Sequence, residues 1–509
     1  MSEPRSDSRA RWPDWSIALL ALASSITSIA NGFAVDDRAV IEQNANVHAI
    51  ANWWRLFAEG YWPTSAQAGL YRPITTLAFT IQWALGGGSP FLFHLVSIVL
   101  YVACAWLVYR LAQRLAGPTA GWIAAAVFAV HPVHVEAVGN VVGQAELIST
   151  LAVVAAALLY TKHLQRSLET PTPFSVRAII EIVALYLVGS LAKENAIILP
   201  ALLALIHIHV RRTADVPRAA RKNNSWRADL AAVRPTYLVM IAVALAILWI
   251  RGAVLVDSVP APNTALEGLD FTQRLATFCI IVVEWLRLFI WPVRLIPVYS
   301  PPYIQVAHGF DASAVPGFLI VLISIIVTIV ASRRRSTHAI ALGFEWLAIS
   351  LFPVSNILFA TGIIVAERTL FLPSIGFALI VGTAVALVLE RADGKTWRAP
   401  LQFCGLGLLA VGLVRSAVHQ RVWSDDGHVI TAAIIAAPDS YVLDAMYADY
   451  ALRGGKPAIA EQWLKQAIKL YPRDPSPHIS LGQLYVQAGR FNDALLAFSV
   501  AMGLDRENS

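Results

Sequence analysis

The sequence predicts an all-α, polytopic membrane protein that carries a soluble helical repeat region at its carboxyl end. Hydrophobic residues make up 57% of the 509 residues and charged residues only 14%, a balance that soluble globular domains do not have. Long apolar runs recur along the chain, and Arg and Lys are concentrated in the short segments between them. After about residue 418 the pattern changes to that of amphipathic soluble helices. We therefore predict a membrane domain over residues 1–417 and repeats over residues 418–509.

The first apolar run covers residues 15–33 and is long enough to cross a bilayer. It follows Arg5, Arg9 and Arg11, which the positive-inside rule places in the cytoplasm. The run lacks a convincing cleavage site of small residues, so we interpret it as a retained spanning helix rather than a signal peptide. The residues that follow it are therefore predicted on the outer side of the membrane.

About ten further spans are predicted from length and apolarity, which makes about eleven in all. They are residues 90–110, 119–135, 144–161, 177–192, 195–210, 236–255, 315–332, 339–353, 369–390 and 400–417. In this order every basic cluster lies in the cytoplasm, namely Arg110 with Arg114, Lys162 with Arg166, Arg211 to Arg234, Arg333 to Arg335, and Arg391 to Arg398. Membrane topology thus explains the net charge of +6, and nucleic-acid binding is not predicted.

One long apolar run, residues 275–292, does not fit this order as a span. A crossing there would move the Arg333 to Arg335 cluster to the outer side, and the run itself contains Glu284 and Arg287. We therefore predict a re-entrant or interfacial segment within an outer loop at residues 256–314.

A second apolar stretch, residues 74–85, is too short to span. We predict that it lies along the outer interface, within a first outer loop at residues 34–89. Aromatic residues just upstream, Tyr61 and Trp62 among them, are typical of the belt at a membrane surface.

The carboxyl-terminal region contains a repeat with a period of about 34 residues, over 441–474 and 475–508. The matching pairs are Gly455 and Gly489, Ala460 and Ala494, Leu464 and Phe498, Ala467 and Ala501, and Ala448 and Gly482. This spacing is typical of tetratricopeptide helix-turn-helix repeats, although an ordinary helical hairpin is the alternative. A degenerate half repeat is predicted before them, around Trp423, Ala433 and Pro438. Such arrays bind peptides or partner proteins.

The outer ends of the predicted spans carry ionisable residues that loops alone do not require. Asp36 and Asp37 directly follow the first span. The others are Arg72, His94, His131, His134, Glu136, Glu146, Lys193, Glu194, Glu367 and Arg368. Ionisable groups near hydrocarbon are costly, so their concentration on one side of the membrane predicts a single functional site. Taken singly, each also fits a structural role, such as a helix-end hydrogen bond or a neutralised ion pair.

These groups fit transfer from a lipid-linked donor with a phosphate leaving group to a hydroxyl of a protein acceptor. Asp36 or Asp37 can act as the base, because a neutral hydroxyl is a poor nucleophile. Arg72, Lys193 and Arg368 can stabilise the negative charge of the leaving phosphate.

The histidines and Glu136 leave two alternatives open. His131, His134 and Glu136 can orient the phosphate or the sugar. Alternatively, His134 and Glu136 can hold a divalent cation together with Asp36 and Asp37. Oxygen ligands favour magnesium or manganese, and the histidines also admit zinc.

Other chemistries are not supported. No Walker-type or dinucleotide glycine motif is present, and Gly86 to Gly88 follows no strand, so a soluble nucleotide donor is not predicted. Cys104, Cys279 and Cys404 all lie in apolar runs, which argues against a disulfide, a zinc site or a thiol nucleophile.

Several strings resemble the transmembrane and tetratricopeptide-repeat O-mannosyltransferases, a family of the GT-C glycosyltransferase fold. They are VDDRAVIEQN, YRPITTLAF, FHLVSIVLY, HPVHVEAV with GQAELIS, AKENAIILP and AERTLFLPSIGF, in the family's order and followed by the repeats. The resemblance covers nearly the whole chain. It implies a GT-C-like fold, a dolichyl- or polyprenyl-phosphate-mannose donor, inversion at the anomeric carbon and a protein Ser or Thr acceptor. Carried over by motif, it implies Asp36 as the catalytic carboxylate, with Asp37 beside it.

The chain departs from the family in two respects. Gln144 stands where the family commonly has Arg, and the repeat array is far shorter than in animal members. The Ala- and Arg-rich composition and compact loops favour a bacterial source, with an inner-membrane location and a periplasmic site. Two alternatives are a GT-C transferase acting on an envelope glycan or lipid, and a non-catalytic membrane scaffold that recruits partners. A transporter would instead carry ionisable residues in the middle of its spans.

Overall fold

The computed structural model describes residues 14–63, 69–169, 174–213, 226–256, 265–266, 268–307, 309–358, 360–361 and 363–508. Within these ranges every regular element is a helix, and the single β-type contact joins Tyr299 to Val365. The predicted fold class, an all-α polytopic membrane protein with helical repeats at its carboxyl end, is confirmed. Arg5, Arg9 and Arg11 lie outside the described residues.

The described α-helices fall into a membrane part and a carboxyl-terminal part. In the membrane part they are α1 Trp15–Ser25, α2 Pro73–Gly86, α3 Pro90–Ala116, α4 Pro118–Val130, α5 Val135–Gly139, α6 Gln144–Glu169, α7 Val176–Ala192, α8 Leu199–Thr213, α9 Trp226–Val254, α10 Phe271–Ile290, α11 Val315–Ala331, α12 His338–Leu351, α13 Ser374–Arg391 and α14 Arg398–His419. After them come α15 Asp426–Ala436, α16 Tyr441–Arg453, α17 Pro457–Leu470, α18 Pro475–Gln487 and α19 Phe491–Asn508.

Every predicted span corresponds to a helix in the described ranges. Seven of the described helices are long and apolar enough to cross a bilayer, and a bent pair, Pro118–Val130 with Pro132–Gly139, can add an eighth. The other predicted spans fall on α1, α7 and α11, which are shorter helices. The protein is therefore polytopic, and a total of about eleven spans stays a prediction.

A bend separates α4 from α5. The two segments meet at 52°, because Pro132 cannot continue the α4 helix and holds the preceding His131 in an extended conformation. A tight turn then leads into α6. It requires glycine at position 143, because a Cβ there would lie 2.3 Å from the carbonyl oxygen of Ala137.

The core of the membrane part lies where α3, α4, α6, α7, α8 and α13 pack together, with α1 beside α3 and α4. Small residues allow close contact, since a Cβ on Gly382 of α13 would meet the carbonyl oxygen of Ala120 in α4 at 2.5 Å. By contrast, α9 and α14 expose most of their apolar side chains, which fits helices that face lipid.

The run predicted as re-entrant or interfacial forms the continuous helix α10. It packs against α11, and its Arg287 pairs with Glu284 at 2.5 Å. Its orientation relative to a bilayer stays a prediction. The stretch at 74–85 forms α2, which packs against α7 and the 3-10 helix Ile50–Phe57.

The carboxyl-terminal helices form two hairpins, α16 with α17 and α18 with α19, at the predicted repeat positions. Their interface is built from small residues such as Ala448, Ala460 and Ala494. Gly482 lies against the ring of Phe498, so the predicted spacing of small residues does mark helix contacts. The preceding α15 packs on α16.

Candidate active site

Residues from the ends of several helices meet at a charge cluster centred on Arg368. Its Nη1 lies 3.2 Å from Asp36 Oδ2 and 3.2 Å from Glu136 Oε1, and its backbone N–H donates to Glu136 Oε2 at 2.8 Å. The Glu136 side chain is 1% exposed, whereas those of Asp36 and Arg368 are 27% and 21% exposed. The cluster therefore presents one accessible carboxylate beside one accessible guanidinium.

The two adjacent aspartates have different environments. Asp37 is fully buried, and its carboxylate accepts the backbone N–H groups of Val142 at 2.8 Å, Val141 at 3.2 Å and Ala34 at 3.3 Å. Burial raises the pKa of Asp37 to about 7, although these N–H donors oppose the shift. Asp37 thus ties the first outer loop to the turn before α6. The catalytic role predicted for Asp37 stays a prediction.

Two further ion pairs lie close by. Lys193, in the turn between α7 and α8, contacts Glu146 at the start of α6. Arg72, at the start of α2, places Nη2 3.0 Å from Glu194 Oε2. Burial lowers the pKa of Lys193, and the charges of Arg72 and Arg368 lower it further against the attraction of Glu146. The structure therefore brings together seven of the predicted site residues, namely Asp36, Arg72, Glu136, Glu146, Lys193, Glu194 and Arg368.

The two histidines of the HPVHVEAV string are engaged in buried hydrogen bonds. His131 Nε2 lies 2.9 Å from the carbonyl oxygen of Phe289 in α10. His134 contacts the Tyr101 hydroxyl at 3.1 Å through Nδ1 and the Ser374 hydroxyl at 2.9 Å through Nε2. These contacts join α4 and α5 to α3, α10 and α13. The predicted contact with a donor stays a prediction, and the geometry fits a structural role.

His94 and Glu367 also hold the surrounding chain in place. His94 Nε2 lies 3.0 Å from the carbonyl oxygen of Gly32. Glu367 Oε1 accepts the backbone N–H of Ile296 at 2.6 Å and the hydroxyl of Tyr299 at 2.7 Å. Burial raises the pKa of Glu367 well above its usual range, and the nearby charge of Glu136 raises it further. Glu367 therefore anchors the loop after α10.

The residues predicted to hold a divalent cation do not lie together as a group of ligands in the described part of the chain, and a bound cation stays a prediction. No group of three or more His, Cys, Asp or Glu side chains in the described part of the chain is arranged for a metal. Asp37 is occupied by three backbone N–H groups, and both ring nitrogens of His134 have partners. Asp36 and Glu136 are bridged by Arg368, which already supplies the positive charge between them.

Gln144, which stands where the resembled family commonly has Arg, is fully buried in an amide network. Its Nε2 donates to Gln82 Oε1 at 3.0 Å, and Gln82 Nε2 donates to Gln144 Oε1 at 2.8 Å. A further bond reaches the carbonyl oxygen of Phe93 at 3.0 Å. In this chain the position therefore supports packing between α2, α3 and α6.

Sequence reasoning placed Tyr61 in an interfacial aromatic belt, and this was wrong. Tyr61 is 2% exposed, and the guanidinium of Arg72 lies over its ring at 5.1 Å. Burial raises the pKa of Tyr61, and the charges of Arg72, Asp36, Asp37 and Arg368 act on it, so Tyr61 is near both Arg72 and the Asp36–Arg368 pair. Its hydroxyl has no hydrogen-bond partner among the described residues. An aromatic-rich loop offers no sequence signal that separates a buried tyrosine from an exposed one.

The fold and the site together define a class of protein. It is a polytopic α-helical membrane protein whose helix ends form a cluster of carboxylates and cations at one face, with a helical repeat region beside it. No protein-family model matches the chain.

The comparisons with curated proteins identify homologues of one family. The chain is 26% identical over 505 residues to protein O-mannosyl-transferase Tmtc1 of Drosophila melanogaster, a match that covers 82% of the chain and 57% of that protein. It is 24% identical over 497 residues to the mouse protein TMTC3, covering 93% of the chain and 52% of that protein. It is 32% identical over 287 residues to Drosophila Tmtc2, covering 54% of the chain and 29% of that protein. The chain is thus a homologue of the transmembrane and tetratricopeptide-repeat O-mannosyltransferases, as its motifs predict, and it spans about half the length of these first two relatives.

Among solved structures, the archaeal oligosaccharyltransferase AglB from Archaeoglobus fulgidus is similar at 13% identity and a TM-score of 0.41. The match covers 90% of the chain and 60% of that structure. Similarity at this level does not transfer a site or an activity.

Proposed function

We propose that the chain is a membrane glycosyltransferase that moves mannose from a polyprenyl-phosphate carrier to a Ser or Thr hydroxyl of a protein at the outer face of the membrane. The observation that carries the proposal is the pairing of Asp36 with Arg368. A partly exposed carboxylate and a partly exposed guanidinium lie 3.2 Å apart among buried ion pairs. The names of the homologues support mannose and a protein acceptor.

In the proposed step Asp36 acts as the general base. It takes the proton of the acceptor hydroxyl, and the acceptor oxygen forms a bond to C1 of the mannose. The bond between C1 and the phosphate oxygen breaks, and its electron pair leaves with the polyprenyl phosphate. One such displacement inverts the configuration at C1. A positioned base typically contributes about 10²- to 10⁴-fold to the rate.

The cations of the cluster stabilise the departing phosphate. Arg368 and Arg72 are the best placed, because a guanidinium pairs with phosphate oxygens through two parallel hydrogen bonds. Lys193 is paired with Glu146 and is 8% exposed, so we assign it to holding the site together. Tyr61 stays protonated because its pKa is raised by burial, and it can donate to the same phosphate.

The charge bias of the sequence supports the position of the site in the membrane. The basic clusters belong to the predicted cytoplasmic ends of the spans, and one of them contains Arg110, which pairs with Asp14 at 3.1 Å. We therefore place the site and the repeats on the outer side of the membrane, which in a bacterial cell is the periplasmic side of the inner membrane. The repeats are proposed to present the protein acceptor to Asp36.

The test is transfer of labelled mannose from polyprenyl-phosphate mannose to envelope protein by the chain reconstituted in vesicles. Asp36→Asn, which keeps the shape of the side chain, is expected to lower transfer about 100-fold or more. Glu42→Gln is the matched control, because Glu42 is an exposed acid of the same outer loop, and it should retain activity. Equal transfer by the wild type and Asp36→Asn would refute the general base. Transfer only from another sugar donor would change the donor and leave the mechanism standing.

A further inference from the structure

Val35, the residue before Asp36, has an unusual backbone conformation. Its φ angle is 51°, in the left-handed region that β-branched residues rarely adopt. Such a conformation persists only where surrounding contacts hold it. Because Val35 directly precedes Asp36, its backbone sets the direction in which the Asp36 side chain leaves the chain.

The contact that holds Val35 comes from far along the sequence. Asp426, the first residue of α15, accepts the Val35 backbone N–H on Oδ1 at 2.7 Å. Its side chain is 2% exposed, so the hydrogen bond is shielded from water. Two neighbouring contacts fix the same loop to the segment before α15: the Gly32 N–H donates to the carbonyl oxygen of Ser424 at 2.9 Å, and Asn31 Nδ2 donates to that of Gln420 at 2.8 Å.

The charge of Asp426 is balanced from both sides of this junction. Its Oδ2 lies 3.1 Å from Arg38 Nε in the first outer loop and 2.6 Å from Arg453 Nη1. Arg453 is the last residue of α16, the first helix of the first repeat. A buried carboxylate needs such partners, since an unpaired buried charge is strongly unfavourable. The repeat region therefore supplies one of the groups that keep Asp426 beside Val35.

We propose that Asp426 is a positioning residue for Asp36 and that it couples the repeat region to the active site. The chain of contacts runs from Arg453 of the first repeat through Asp426 to the Val35 N–H and so to Asp36 and Arg368. Movement of the first repeat, for instance when an acceptor polypeptide binds, changes the pairing of Asp426 and with it the direction of the Asp36 carboxylate. This inference rests on the proposed function for its catalytic consequence and on the geometry alone for the mechanical link.

The mechanical link is tested without substrate by hydrogen exchange of the backbone amides at residues 35–40. Asp426→Ala is expected to speed exchange at Val35 about tenfold or more, because its N–H loses its acceptor. Asp493→Ala, which removes an exposed acid of the second repeat, is the control and should leave these amides unchanged. Unchanged exchange in Asp426→Ala would overturn the proposal whether or not the protein transfers mannose.

The catalytic consequence is tested in the mannose-transfer assay. Asp426→Ala should lower kcat about tenfold or more with little change in the KM for the donor, since a misdirected base slows the chemical step. Asp426→Asn can still accept the hydrogen bond of the Val35 N–H. Its kcat should therefore lie between those of Asp426→Ala and the wild type.

Val35→Gly provides the decisive comparison, because glycine adopts positive φ without strain. In the Val35→Gly background, the loss of kcat caused by Asp426→Ala should be several-fold smaller than in the wild type. An equal loss in both backgrounds, or a loss confined to KM, would refute positioning through Val35. A wild type that transfers no sugar, with exchange at Val35 still dependent on Asp426, would refute the proposed function and leave the link intact.

Discussion

Arg368 Nη1 lies 3.2 Å from Asp36 Oδ2, and the two residues are 332 positions apart in the chain. The same guanidinium reaches Glu136, so one cation serves an accessible carboxylate and a buried one. Loss of this shared pairing should therefore have separate effects on stability and on activity.

Removing the Arg368 charge should impair both properties. Arg368→Gln leaves Glu136 buried without its counter-charge, which we expect to cost roughly 3 kcal/mol of unfolding free energy. The double variant Arg368→Gln with Glu136→Gln should recover most of that stability and none of the transfer activity. Thermal unfolding in detergent and the mannose-transfer assay measure the two effects. Arg490→Gln, at an exposed arginine of the repeats, is the control. Full activity in the double variant would contradict a phosphate-binding role for Arg368.

Tyr61→Phe should change the binding of the donor without changing the stability of the fold. The hydroxyl has no hydrogen-bond partner among the described residues, so its removal should leave the unfolding midpoint unchanged. If the Tyr61 hydroxyl donates a hydrogen bond to the phosphate of the donor, the KM for the polyprenyl donor should rise about tenfold or more. The reason is that a hydrogen bond to a charged group contributes about 1.5 kcal/mol or more. Steady-state kinetics at varied donor concentration give the answer. An unchanged KM would show that Tyr61 only packs against Arg72.

Asp37 should make stability depend on pH. Its pKa is about 7 in the folded protein and 3.8 as the ordinary value, so between these values the folded state binds the proton that the unfolded state releases. The resulting stabilisation is complete below the ordinary pKa and is lost as the pH rises through about 7, with a slope of at most about 1.4 kcal/mol per pH unit. The unfolding midpoint should therefore fall between about pH 4 and about pH 7 and change little at higher pH.

Asp37→Asn should reduce that slope, whereas Glu42→Gln should not change it. The slope that remains in Asp37→Asn is expected to come from Glu367, whose pKa is also raised by burial. Identical pH profiles for the wild type and Asp37→Asn would contradict this assignment.

A chelator should leave transfer unchanged within about twofold. The reason lies in the donor groups: Asp37 and His134 are already hydrogen-bonded, and Arg368 separates Asp36 from Glu136. Transfer is measured before and after treatment with EDTA and then with added magnesium or manganese. A loss that added metal restores would mean that these side chains rearrange around a cation.

Single cysteines should report the topology. The described part of the chain has one exposed cysteine, Cys404, so a Cys404→Ser background is used. Cysteines at the exposed positions Ala312 and Ser476 should react with an impermeant reagent from outside, and one at Ser336 only after permeabilisation. Reaction of Ala312→Cys from inside would mean that α10 crosses the membrane.

The convergence of distant motifs was predictable because membrane topology restricts where helix ends can lie. Counting spans places the first outer loop, the end of α7 and the start of α6 on one side, and the ion pairs among Arg72, Glu146, Lys193 and Glu194 show that they do meet. The same reasoning could not tell which polar groups are free. His131 and His134 also lie at these helix ends, yet their ring nitrogens contact Phe289, Tyr101 and Ser374.

The sequence by itself determined the all-α membrane fold, the helical repeats, the resemblance to the O-mannosyltransferase homologues and the helix ends that form the site, because hydropathy, charge bias and motif spacing act locally along the chain. Only the tertiary structure separated Asp36 from Asp37 and revealed Asp426 as the partner of Val35. Neighbours in sequence share composition but not surroundings. Asp37 is turned toward two backbone N–H groups of a distant segment and one of its own loop, whereas Asp36 faces Arg368 at the accessible surface. Burial and hydrogen-bond partners arise from contacts between residues far apart in the chain, and those contacts decide which carboxylate stays accessible.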